Sequence, residues 1–96
     1  MRICWTRQAS RDLDSVRAFL APENPLAAVE QVLRLIQGIE ETIAANPAIG
    51  KSGRVPRTRE FVVPGTPYLL VYRVHRGVLE VLRVLHGARQ WRPGKG

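Results

Sequence analysis

The sequence predicts an α+β domain of order β-α-α-β-β-β, with an N-terminal helical hairpin packed on one face of a small, mainly antiparallel sheet. Three observations carry that prediction. Apolar residues of the first half recur at helical spacing, those of the second half fall in short β-branched runs, and Pro and Gly residues separate the segments. With 96 residues the chain has room for one domain, expected over 1–96 with order over about 2–91. At this size there is no space for a deep cofactor cavity, and no cofactor is expected.

Ile3-Cys4-Trp5 is a short apolar run suited to an edge strand. Thr6 follows as a helix N-cap, its hydroxyl placed to accept from an unpaired N–H of the first turn. Ala9, Leu13, Val16 and Leu20 then recur at spacings of four, three and four, along one face of a helix that Pro22 stops. Asn24-Pro25 restarts the chain as N-cap and first helical residue, where the missing proline N–H costs nothing. Leu26, Val29, Leu33, Ile36, Ile39 and Ile43 form a longer stripe that Asn46-Pro47 ends, because a residue before proline is pushed out of the helical region. The short link between the helices predicts an antiparallel pair. From Ala48, glycines and Pro56 mark an irregular basic loop. Thr58–Val63 reads as a strand and Pro64-Gly65-Thr66-Pro67 as a turn. Tyr68–His75 and Val78–His86 are strands joined tightly at Arg76-Gly77, and the tail from Gly94 is expected to fray.

Pairing His75 with Val78 sets Arg73 opposite Glu80, an opposite-charge pair that supports this register. One face of the strand pair then carries Leu69, Val71, Leu82 and Val84; the other carries Leu70, Tyr72, Val74, Leu79, Val81 and Leu85. Two helices in one layer cover a single face of a small sheet. The other apolar face is therefore expected to meet a protein partner, with burial under the first strand, the long loop and the tail as the alternative.

Charge divides the chain. Fifteen Lys and Arg stand against eight Asp and Glu, a net charge of +7. Residues 1–50 carry five Arg and six acids, and residues 51–96 carry ten Lys or Arg and two acids, so the halves sum to −1 and +8. The second half suits an acidic or polyanionic partner, and equally a solvated basic surface. One cysteine permits no internal disulfide, no apolar leader precedes the first helix, and the longest apolar run falls far short of the ~20 residues a membrane span needs; the expected location is cytoplasmic.

Several chemistries lack their residues. Gly50-Lys51-Ser52 resembles the end of a phosphate loop, but Ala45 stands where that motif needs glycine and a helix precedes it instead of a strand. His75 and His86 fall near opposite ends of a strand pair, about 25 Å apart at ~3.3 Å per residue, so no metal is expected. Cys4, in an apolar strand, reads as buried and inert. Glu60 and His86 come nearest to an acid–base pair, able to meet across neighbouring strands, although a surface carboxylate and a strand-end histidine is the favoured reading.

The chain resembles the RelE/ParE superfamily of bacterial toxins from type II toxin–antitoxin systems. The residues that carry the likeness are Asp12-Leu13-Asp14, Ala45-Asn46-Pro47, Gly53-Arg54-Val55, Thr58-Arg59-Glu60-Phe61-Val62-Val63, Leu70-Val71-Tyr72-Arg73-Val74 and Leu82-Arg83-Val84-Leu85-His86-Gly87-Ala88-Arg89. They cover about residues 2–91, and the Tyr-Arg-Val and Arg-Val-Leu-His segments are most similar to ParE.

The resemblance implies one of two activities. RelE-type members cut mRNA on the ribosome without a metal, using a cradle of basic residues around the scissile phosphate and a base for the ribose 2′-OH. At the corresponding positions this chain has Glu60, Val62 and Leu69, and only Arg89 keeps the expected charge. ParE-type members lack that cradle and poison DNA gyrase by protein contact, through a comparatively apolar groove that Leu69 and Val71 fit. The expectation is a ParE-like gyrase inhibitor with no catalytic residues, neutralised by an acidic antitoxin of ribbon-helix-helix type. Arg54, Arg57, Arg59, Leu69, Val71, Arg83, Arg89 and Trp91 are its candidate antitoxin or target contacts. The alternative is a ribosome-dependent endoribonuclease using His86, Arg89 and Glu60. A basic nucleic-acid-binding module is a third reading, weakened because six aromatic residues form no stacking platform.

Overall fold

The computed structural model describes residues 1–87. Strand β1 (Arg2–Trp5) leads into helices α1 (Arg7–Leu20) and α2 (Pro25–Gln37), followed by strands β2 (Lys51–Ser52), β3 (Arg59–Val62), β4 (Tyr68–His75) and β5 (Val78–His86). The strands form one sheet in the order β1-β5-β4-β3-β2, parallel between β1 and β5 and antiparallel elsewhere. This is the expected α+β arrangement, with one addition. The basic loop contains the two-residue edge strand β2.

Both helix starts are capped as their sequences require. The Thr6 hydroxyl accepts from the Ala9 N–H at 3.1 Å and donates to the Leu82 carbonyl at 3.1 Å, tying the start of α1 to β5. The Asn24 side chain accepts from the Ala27 N–H at 3.0 Å, with Pro25 beginning the helix. Helix α1 rests on β5, and α2 packs chiefly against α1. The long stripe read from Leu26 to Ile43 is divided in two. After Gln37 the chain widens into a π-helical turn, Gly38–Ile43, which brings Ile39 and Ile43 wholly into the core beside Leu35. Leu26, Val29 and Leu33 lie on the other side of α2, 67%, 50% and 50% exposed.

The β4–β5 register begins as the charge pairing predicts, with His75 opposite Val78 and Arg73 opposite Glu80. It then slips by one residue. Val81 pairs with Tyr72 and Arg83 with Val71, leaving Leu82 as an extra residue on β5. Because strand side chains alternate, the bulge exchanges the faces of everything beyond it. Val84, expected beside Leu69, instead joins Tyr68, Leu70, Tyr72, Leu79 and Val81 under the helices, and Leu85 pairs with Leu69. The face expected to await a partner is also changed. Leu69 and Val71 are 6% and 1% exposed in the chain by itself. Cys4, expected to be buried, is exposed, because β1 turns Ile3 and Trp5 toward the core and Cys4 between them to the other side.

Candidate functional site

The residues expected to do chemistry are kept apart. Glu60 is opposite Val71, and His86 opposite Tyr68, with β4 between β3 and β5. Val71 and Tyr68 are three residues apart, so the two side chains leave opposite faces, about 14 Å from one another by strand spacing and rise. The Glu60 side chain is 1% exposed and accepts from the Arg54 N–H at 2.9 Å, with the Arg54 guanidinium 3.7 Å away. It anchors the basic loop from inside and presents no surface carboxylate. His86 packs edge-on to the Tyr68 ring, with centroids 5.6 Å apart. His75 and His86 occupy opposite ends of the β4–β5 pair, and no group of three or more His, Cys, Asp or Glu among the described residues is placed to hold a metal.

Two surfaces have the geometry of binding sites. The first is a cleft of about 480 Å³ between α1 and the ends of β4 and β5, lined by Asp12, Ser15, Phe19, Tyr68, Val84 and His86. Beyond the end of β1, the open edge of β5 is met by Asp12. Its carboxylate accepts from the Arg83 guanidinium at 2.8 and 3.3 Å and from the Val84 N–H at 2.9 Å. With side chains 11% and 21% exposed, Asp12 and Arg83 form a shielded pair that fixes α1 to the sheet. Arg83 is thereby committed inside the molecule. At the rim stands Phe19, 74% exposed; on α2, Leu26, Val29 and Leu33 are exposed apolar residues as well.

The second surface lies at the opposite end of the sheet, where Ser52, Gly53, Arg57, Thr58, Arg59 and Arg73 line an open cleft. Arg57 tops a turn in which the Thr58 hydroxyl donates to the Val55 carbonyl at 2.7 Å and the Gly53 N–H donates to the Thr58 carbonyl at 2.8 Å. Arg59 donates from its guanidinium to the Gly50 carbonyl at 2.7 Å. Beneath them lies Tyr72, fully buried. Its hydroxyl accepts from the Gly50 N–H at 2.9 Å and donates to the Pro47 carbonyl at 2.7 Å. A Cβ at Gly50 would sit 2.6 Å from that hydroxyl, so this contact demands glycine. Burial raises the Tyr72 pKa above the ordinary tyrosine value, against the opposing effects of the Gly50 hydrogen bond and the Arg59 charge.

Of the expected contact residues, Arg54, Arg57 and Arg59 are exposed around the basic loop, Leu69 and Val71 are buried, and Arg83 is paired. Arg89 and Trp91 lie outside the described residues. Sequence reasoning missed Phe19, although a signal existed: it falls off the Ala9–Leu13–Val16–Leu20 stripe and has no core face to join.

A family model described as the ParE toxin of the type II toxin–antitoxin system parDE matches residues 3–91. The chain belongs to the ParE toxin family. The Sinorhizobium fredii protein named "Putative toxin Y4kP" is 40% identical over 90 residues, 94% of this chain and 92% of that protein. Toxin RelE2 of Caulobacter vibrioides is 32% identical over 88 residues, 92% of this chain and 97% of that protein. A chain of the solved chromosomal ParDE TA system from P. aeruginosa superposes with a TM-score of 0.77 at 24% identity, covering 90% of this chain and 95% of that one; it shares the fold. As a member of the ParE family this protein is the toxin of a type II toxin–antitoxin pair, and the family implies an antitoxin partner. No helix among the described residues is long and apolar enough to cross a membrane.

Proposed function

We propose that this ParE-family toxin inhibits DNA gyrase by binding it, without catalysis, in the cytoplasm, and that a cognate antitoxin neutralises it there. One observation carries the reading. Glu60, on the strand where RelE-type nucleases place basic residues, is a buried carboxylate that holds a loop, and the neighbouring positions Val62 and Leu69 are apolar. A phosphorane-like transition state needs preorganised positive charge, and Glu60, Val62 and Leu69 supply none at those positions. Glu60 and His86 leave the sheet on opposite faces, so the two do not form an acid–base pair.

The antitoxin meets the helical hairpin in this reading. Leu26, Val29 and Leu33 are spaced by three and four and offer an apolar strip to a partner helix. Arg54, Arg57 and Arg59 face the target or the acidic flank of the antitoxin, where they act mainly on association rate.

The test is purified toxin added to gyrase with relaxed plasmid, beside a ribosome–mRNA cleavage assay. Inhibited supercoiling with intact mRNA is the expected result. Cleaved mRNA with unimpaired supercoiling would reject the gyrase target.

A further inference from the structure

The cleft at the basic end is more than a charged surface. Among the described residues, three guanidinium groups, from Arg57, Arg59 and Arg73, line it, and no carboxylate does. They are held differently. Arg59 is tethered through one nitrogen to the Gly50 carbonyl, and Arg73 through its Nε to Glu80 at 2.9 Å. Both side chains are therefore partly ordered before any ligand arrives, which lowers the entropy lost on binding. Arg57 is held by its backbone. Its φ of +66° lies in the left-handed region, where an L-residue costs about 1–2 kcal/mol and glycine would sit without strain. Arg76, in the adjoining β4–β5 turn, has φ of +51°. Two arginines thus occupy glycine-type positions at one end of the sheet.

The other lining residues narrow the ligand. Pro47, Ser52, Gly53 and Thr58 offer hydroxyl and backbone groups, and no aromatic ring among the described residues borders the cleft. Proteins that grip single strands rely on aromatic platforms for unstacked bases. A site with guanidinium forks and no ring suits phosphates whose bases stay paired and stacked elsewhere. We propose that this cleft binds the phosphate backbone of duplex DNA, without reading its sequence. The site goes beyond the gyrase reading: it requires only DNA, and it gives the toxin a direct contact with the duplex.

The experiment is fluorescence anisotropy of the full chain with two labelled duplexes of unrelated sequence, each of about 20 base pairs, between about 50 and 200 mM salt. Three phosphate contacts predict equal affinity for both duplexes and a log–log salt slope of about −2.7. The Arg57→Gln/Arg73→Gln variant should bind several-fold more weakly, with a slope nearer about −1. Its circular dichroism should match the parent, which keeps lost binding distinct from lost folding. Arg11→Gln/Arg17→Gln removes the same charge from α1 and should leave the slope unchanged. An equal loss in both variants would reduce the effect to net charge and overturn the site, as would no binding at the lowest salt. Tighter binding of a single-stranded RNA of equal length would overturn the duplex assignment. Gyrase is absent throughout, so failure here leaves the target assay above untouched.

Discussion

The hairpin end and the basic end of this toxin present opposite surfaces over similar foundations. Residues 7–37 carry four arginines (7, 11, 17 and 34) and four acids (12, 14, 23 and 30), so the hairpin is neutral, and it exposes Phe19, Leu26, Val29 and Leu33. At the far end of the sheet Arg57, Arg59, Arg73 and Arg76 gather around one cleft and its neighbouring turn. Beneath each surface lie shielded polar groups, Asp12 under the hairpin and Tyr72 and Glu60 under the basic loop. The difference teaches that binding chemistry has been separated from support. Surfaces left apolar or strained are held in place by shielded polar groups beneath them.

If that division holds, changing the supports should cost stability and changing the surfaces should not. The largest effect belongs to Asp12→Ala, which strips Arg83 and the Val84 N–H of their common acceptor. A loss of about 3 kcal/mol is expected in urea unfolding, in the range for breaking a shielded charge pair. Asp12→Asn should recover part of it. A loss below about 0.5 kcal/mol would mean that α1 is fixed by apolar packing alone.

Tyr72→Phe comes next, at about 2 kcal/mol, because it leaves the Gly50 N–H and the Pro47 carbonyl without their partner. The same residue governs an alkaline response. Burial raises its folded pKa, whereas the unfolded phenol titrates near ~10. Below that pH both states hold the proton and stability is unaffected; above it the unfolded chain alone releases the proton, and stability falls as pH climbs toward the folded value. Tyr72→Phe should start lower and lack this component of the alkaline decline.

These two supports show what was legible in the sequence. Thr6 and Asn24 announced their caps, Arg76-Gly77 its tight turn and Arg73–Glu80 its register, because each is a local rule acting within a few residues or directly across a strand pair. The bulge at Leu82 was not legible. It lies where Thr6 and Asp12 engage β5 from about seventy residues away, and one displaced residue exchanged Val84 with Leu85. Leu69 and Val71 looked like an open face because alternation reports which side a residue takes and not what covers it. Glu60 looked like surface for a similar reason, since its partner is a backbone N–H six residues earlier that no side-chain pattern reveals. On α2, apolar residues on two sides of one helix concealed which side was core.

Two surface changes complete the comparison with smaller effects. Arg57→Gly should raise stability by about 1 kcal/mol through relief of the left-handed backbone, while weakening DNA binding. A destabilised glycine variant would show that the Arg57 side chain supports the loop. Leu26→Gln/Leu33→Gln should alter stability by less than about 0.5 kcal/mol. It should nonetheless raise the solubility of the toxin alone and weaken capture by the antitoxin, read by titration calorimetry. Unchanged antitoxin affinity would remove the hairpin from the interface.

The central claim is that toxicity needs no proton transfer from this chain, and His86 tests it most directly. A general acid or base contributes roughly 10²–10⁴-fold to rate, whereas one contact among many in an interface contributes far less. The measurement is growth arrest by His86→Gln at matched expression, with plasmid supercoiling and mRNA integrity followed in the same cells. Undiminished arrest with lost supercoiling and intact mRNA is the predicted result. Arrest that disappears together with mRNA cleavage would contradict the account and make the protein a nuclease.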